Sequence, residues 1–160
     1  MATLVPSVSA PARSRWSRHA DPFRLASYLL VLFTVGHTLG AVVSTPRLGA
    51  AGDAVAASMR SVHFALQSAD CTWYGLYRGF GATISLFFAF SAVLAWQLGG
   101  LAQRERRAFA PVAWALLAAY VANAVIAWVY FFPTPQIFAT LVAVLLGIGC
   151  LRRAGPAASE

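Results

Sequence analysis

The sequence contains no lysine: all 12 of its basic residues are arginine, set against five carboxylates. Charged residues fill only 11% of its 160 positions and apolar residues 59%, where a soluble domain carries about 25% charge. A soluble domain of this size has too little interior to hide so much apolar surface. A bilayer removes that difficulty. The exclusive use of arginine, with abundant alanine, fits codon bias in a GC-rich bacterial genome. Cysteine is scarce as well. Cys71 and Cys150 lie far apart, without a C-x-x-C pair or metal-ligand spacing, so zinc and dithiol chemistry lack support. Phosphate-cradling glycine loops are missing too, and neither a metal nor another cofactor is expected.

What charge there is has a pattern. A net charge of +7 would point to nucleic acid if the arginines formed a surface. They fall instead in short clusters beside apolar segments, where they act as topology signals. The expected partner is membrane lipid, not nucleic acid.

Four apolar runs, at about 25–43, 79–98, 109–131 and 137–151, predict an all-α membrane protein built as a four-transmembrane-helix bundle. Residues 1–21, with Pro6, Pro11, Arg13, Arg15 and Arg18, read as a flexible basic arm, 22–153 as the transmembrane domain and 154–160 as a disordered tail. The first run spans roughly 28 Å at helical rise, close to the ~30 Å hydrocarbon thickness. A cleaved signal peptide begins similarly, with Val42-Val43-Ser44 as a passable cleavage site, but the run exceeds the usual apolar core of about 7–15 residues. Retention is expected. The second helix should start several residues before Gly79 and close at Gly99-Gly100. The fourth run is short, so it would sit less tilted or thin the bilayer locally. Pro133-Thr134-Pro135 predicts the reversal before it.

The one long connection, 47–72, carries Val55, Met59, Val62 and Leu66 at helical spacing, with Asp53 placed as an N-cap. This predicts a short amphipathic helix in the first extracytoplasmic loop. Asp70 is a candidate cap for the next helix. With four crossings, nine arginines share the side of the termini and the 99–108 turn, while Arg47, Arg60 and Arg78 lie opposite. That bias predicts a bacterial cytoplasmic (inner) membrane protein with both termini cytoplasmic. It also separates Cys71 from Cys150 by the bilayer, which excludes a disulfide between them.

Ionisable and amide groups within a span are costly, which makes them informative. His37 falls about 18 Å along its helix from the inner edge, and Ser85 and Asn123 come to similar depths, with Thr34, Thr38 and Thr140 near them. One polar layer fed by all four helices is the sharp expectation. Tyr74, Arg78, Gly81 and Ser85 share one helical face, so Arg78 would stand at the mouth of a vestibule, near Tyr77 and Asp70, with His37 at its floor. The candidate ligand contacts are therefore His37, Thr38, Tyr74, Tyr77, Arg78, Ser85 and Asn123. The plainer reading is glue. Gly36-x-x-x-Gly40 and Gly81 let membrane helices approach closely, and Ser, Thr, Asn and His hydrogen-bond across such contacts. Arg78 can equally snorkel to headgroups, and Trp73, Tyr74, Trp96, Trp128 and Tyr130 serve as interface anchors. No carboxylate lies within a span, so an acid–base pair or a hydrolytic triad is not evident and no catalytic set is assigned.

Gly36-His37-Thr38-Leu39-Gly40, Trp73 to Gly81 (W-Y-G-L-Y-R-G-F-G) and Leu94-Ala95-Trp96-Gln97-Leu98 resemble a family of uncharacterised bacterial four-helix membrane proteins, with G-H-T-x-G in the first helix and Y-x-G-F-G opening the second. The likeness covers about the first hundred residues and implies an inner-membrane protein of the same architecture. The layout is more distantly similar to DoxX-like proteins and to sterol-isomerase-like bundles, although the latter would need intramembrane acids that this chain lacks. Three functions remain open. The chain binds a lipid or other hydrophobic small molecule in an outer-leaflet polar pocket; or it is a structural or accessory subunit, assembling with itself or another membrane protein; or it is a membrane enzyme on a lipophilic substrate, with His37 as acid or base.

Overall fold

The computed structural model describes residues 21–44, 48–101 and 103–154. The expected basic arm, apart from Asp21, and the tail beyond Ala154 lie outside them.

Four long apolar helices form a membrane-spanning bundle. Helix α1 covers Pro22–His37 and runs on as a π-helix over Thr38–Val43. Helix α2, Gly49–Ser61, is the short helix between the first two spans, followed by strands β1 (His63–Leu66) and β2 (Ala69–Thr72). Then come α3 (Trp73–Gly100), the single turn α4 (Gln103–Arg106), α5 (Ala110–Tyr130) and α6 (Pro133–Ala154). Leu32, Leu86, Phe87, Phe90 and Val129 lie exposed on the outer faces, as side chains facing lipid should.

Caps explain where the helices start. Asp21 accepts from the Phe23 amide at 3.0 Å, and Pro22 fills the first helical position, where a missing N–H is harmless. Helix α3 begins six residues before Gly79 because Thr72 accepts from the Gly75 amide at 3.0 Å. At 28 residues α3 is about 42 Å long, so its first turns project beyond the hydrocarbon. Asp70 is therefore not its cap. Asp53 is no cap either: Leu48 precedes α2, and the Asp53 carboxylate reaches back to the Leu48 amide at 3.1 Å. The fourth span corrects the short run read from the sequence, since Pro133 opens a helix of 22 residues, ample for the bilayer. The reversal itself falls at Phe131 and Phe132, just before the prolines.

The β-hairpin was not expected. Gln67 (φ 48°) and Ser68 (φ 71°) form its two-residue turn, both left-handed as a type I′ turn requires. Phe64 on β1 lies 4.9 Å from the Trp73 ring, and His63 contacts the Asp70 carboxylate at 2.9 Å, which ties the hairpin together. Leu66 thus sits in a strand. Val55 and Val62 are exposed, and the half-buried residues of α2 are Gly52, Ala56 and Met59.

Helix α1 is the hub. It packs on both α3 and α6, and α5 packs on α6, while the α3 and α5 backbones hardly approach each other. The contacts of α1 rest on small residues. Ser27 donates to the Ala92 carbonyl at 2.7 Å, with Ala26 and Ala95 buried in the same core. Gly149 receives the Phe23 ring so closely that a Cβ there would overlap it. The core is lopsided. Phe23, Leu30, Leu98, Leu116 and Leu146 are buried in the half holding Asp21 and Ala154, hereafter the basic end. Towards the hairpin end, nothing in α1 beyond Leu30 is buried, and α3 buries only Gly81 and Ser85 in its first half.

Candidate functional site

His37 sits at the last α-helical position of α1, where the ladder changes to i→i+5 bonding, a feature often found at functional positions. Its Nδ1 lies 3.0 Å from the Ser85 hydroxyl on α3, and the Thr38 hydroxyl lies 2.9 Å from the same oxygen. Thr38 also donates to the Thr34 carbonyl at 2.7 Å. One arrangement gives each of these three contacts a proton of its own. A carbonyl only accepts, so the Thr38 proton points at Thr34 and Thr38 accepts from Ser85. The single Ser85 proton is then committed, and His37 Nδ1–H donates to Ser85. The chain runs His37 → Ser85 → Thr38 → Thr34. A neutral imidazole protonated on Nδ1 presents Nε2 as an acceptor, and no described residue donates to it.

Around this chain lies an aromatic patch that sequence reasoning missed. Phe33 stacks on Phe138 of α6 at 4.8 Å and 12°, and meets Phe88 of α3 at the same separation. The Phe88 ring stands nearly perpendicular to His37 at 5.7 Å. Polar chain and aromatic patch together join α1, α3 and α6 in the half of the bundle with the thinnest core.

The other expected contacts separate. Gly81 and Ser85 are buried on the face of α3 that carries Tyr74 and Arg78, as the spacing predicts. Arg78 stands about 10 Å along the axis from Ser85. Its Nη1 is 3.5 Å from the Tyr74 hydroxyl, and the Arg60 guanidinium from α2 lies over the Tyr74 ring at 4.2 Å. Neither Tyr77, which is exposed, nor Asp70, which is held by His63, accompanies it. Asn123 is half-buried on α5 and has no hydrogen bond to a described residue. Thr34 and Thr140 bond to carbonyls on their own helices, and Thr140 also accepts from Trp128 Nε1 at 3.1 Å. The four-helix polar layer therefore reduces to a link between the first two spans.

A cavity of about 300 Å³ occupies the opposite end of the bundle. It lies between the last turn of α3 and the facing ends of α5 and α6, lined by Leu98, Phe109, Trp114 and Arg106 among others. Among the described residues, no ionisable group stands within hydrogen-bond reach of His37, and no three side chains of metal-binding type cluster. Both cysteines are free. The class defined here is a multi-pass helical membrane protein. No protein-family model, curated protein or solved structure matches the chain.

Proposed function

We propose that this chain is a bacterial inner-membrane protein that holds a lipid or other hydrophobic small molecule against the His37 patch, on the extracytoplasmic side. The observation that carries the reading is the set of contacts His37–Ser85–Thr38–Thr34, whose one-proton-per-contact arrangement leaves the imidazole Nε2 an acceptor in an apolar setting. An acceptor that faces hydrocarbon without a donor is costly, and a ligand hydroxyl or amide N–H would relieve it. Phe33, Phe88 and Phe138 supply an apolar surface for the body of such a ligand. Arg78 and Tyr74 stand near the headgroup level, where they suit a polar end. The arginine bias supports cytoplasmic termini, and the G-H-T-x-G and Y-x-G-F-G motifs support kinship with bacterial four-helix membrane proteins. Among the described residues no second ionisable group stands beside His37, so the geometry adds no support to the alternative of a membrane enzyme with His37 as acid or base. The test is native mass spectrometry of the full chain ejected from membrane nanodiscs. A co-purified molecule present with the wild type and lost with His37→Ala supports binding at the His37 patch; an identical adduct profile rejects it.

A second reading, as an accessory subunit, rests on Gly36 and Gly40. Both are exposed, and a Cβ added at either meets nothing within 4 Å. These glycines are therefore not used to pack the chain against itself, which leaves them open to a helix of another subunit. Gly36→Leu should then shift the protein to a smaller species in detergent while leaving its fold unchanged.

A further inference from the structure

We propose that the cavity at the basic end is a headgroup site for an anionic phospholipid, distinct from the His37 patch. The cavity sits where the helices end: Leu98 and Leu101 belong to the close of α3, Phe109 and Trp114 to the opening of α5, and Arg153 to the close of α6. That is headgroup depth for a bilayer-spanning bundle. Its walls are divided. Arg106, Arg107 and Arg153 line it together with Leu98, Phe109 and Trp114. Arg153 is already neutralised, with Nη2 at 3.1 Å from Asp21 Oδ2. Arg106 is anchored through Nε to the Leu101 carbonyl at 3.2 Å, which holds its guanidinium at the cavity. Arg107 is exposed at the rim. The local balance stays positive, because Arg24 and Arg152 also stand at this end while Asp21 and Glu105 are its only described carboxylates.

A phosphate is the ligand chemistry that guanidinium groups recognise best, by paired charge-assisted bonds. Two sources supply one: a lipid headgroup or a soluble phosphate. The apolar wall decides for the lipid. Leu98, Phe109 and the ring carbons of Trp114 offer nothing to a free anion, but they would guide an acyl chain out along α3 and α5, where the helix backbones stand apart. Basic pockets between helix ends are a recurrent way to hold anionic lipid. The chemistry is the same on either face of the membrane, so the site does not depend on the orientation proposed above.

The full chain, delipidated in detergent and titrated with phosphatidylglycerol or phosphatidylcholine, tests this by native mass spectrometry. Wild type should retain one phosphatidylglycerol at concentrations at least tenfold below those needed for phosphatidylcholine. The double variant Arg106→Gln/Arg107→Gln should lose that preference. Ala110→Leu, which narrows the cavity and keeps every charge, should weaken the adduct to a similar degree, so a folding defect in the first variant does not decide the matter. His37→Ala should leave it intact, which separates this site from the patch at the hairpin end. Equal retention of both lipids, or displacement of phosphatidylglycerol by millimolar inorganic phosphate, would overturn the proposal.

Discussion

Asp21 and Arg153 meet across 132 positions of sequence, with Nη2 of the arginine 3.3 and 3.1 Å from the two carboxylate oxygens. The same carboxylate caps α1, and the same guanidinium lies 4.0 Å over the Phe23 ring. Both side chains are largely withdrawn from solvent, at 18% and 12% exposure. One contact thus joins the start of the first span to the end of the last.

Asp21→Asn should therefore cost more than a surface pair, about 2 kcal/mol, because it leaves a largely buried guanidinium without its anion. Thermal unfolding in one fixed detergent measures it. Combining Asp21→Asn with Arg153→Met should recover part of the loss, since the stranded charge goes too.

Gly149 of α6, packed against α1, and Gly36 on the open side of α1 should respond oppositely. Gly149→Ala pushes a Cβ into the buried Phe23 ring and should destabilise the bundle by about 1–3 kcal/mol. Gly36→Ala adds a methyl in open space and should be neutral or stabilising by up to about 1 kcal/mol. Matched denaturation curves of the two variants decide it.

The His37–Ser85 bond is testable by a double-mutant cycle. Coupling between His37→Ala and Ser85→Ala should fall near 0.5–1.5 kcal/mol, the usual range for hydrogen bonds between membrane helices. A coupling indistinguishable from zero would dismiss the proton chain that leaves Nε2 as an acceptor.

In the hairpin turn, Ser68 holds a left-handed backbone that disfavours any residue with a Cβ. Ser68→Gly should relieve about 1 kcal/mol. Hydrogen exchange of the β1 and β2 amides should slow in that variant.

Orientation can be read from cysteine chemistry. A membrane-impermeant maleimide added to intact cells should label Cys71, half-buried near the hairpin end, in the wild-type chain. It should fail to label Ala154→Cys in a Cys71→Ser background until the cells are opened. The reverse pattern would place the termini outside.

How legible was this in the sequence? The four spans were legible because hydrocarbon imposes length and composition on any helix that crosses it. The start of α3 was only approximate, since Thr72 caps it from within a strand. The hairpin was invisible: Gln67-Ser68 lacks the Asn-Gly or Asp-Gly signature that announces a type I′ turn, and the helical spacing of Val55, Met59, Val62 and Leu66 ran straight through it. For the site, the pairing of His37 with Ser85 followed from depth along two helices. Depth says nothing of rotation about an axis, however, which is why Asn123 and Thr140 matched in level yet do not join. Phe33, Phe88 and Phe138 could not be singled out, because a phenylalanine reads the same whether it faces lipid or a neighbouring helix.

The hub position of α1 has a consequence for biogenesis. Of the four described spans, the first to leave the ribosome needs the last: the groove seating Phe23 is completed by Gly149, and the Asp21 carboxylate meets Arg153. A nascent chain halted after the third of these crossings would lack both the Arg153 partner of Asp21 and the Gly149 wall behind Phe23.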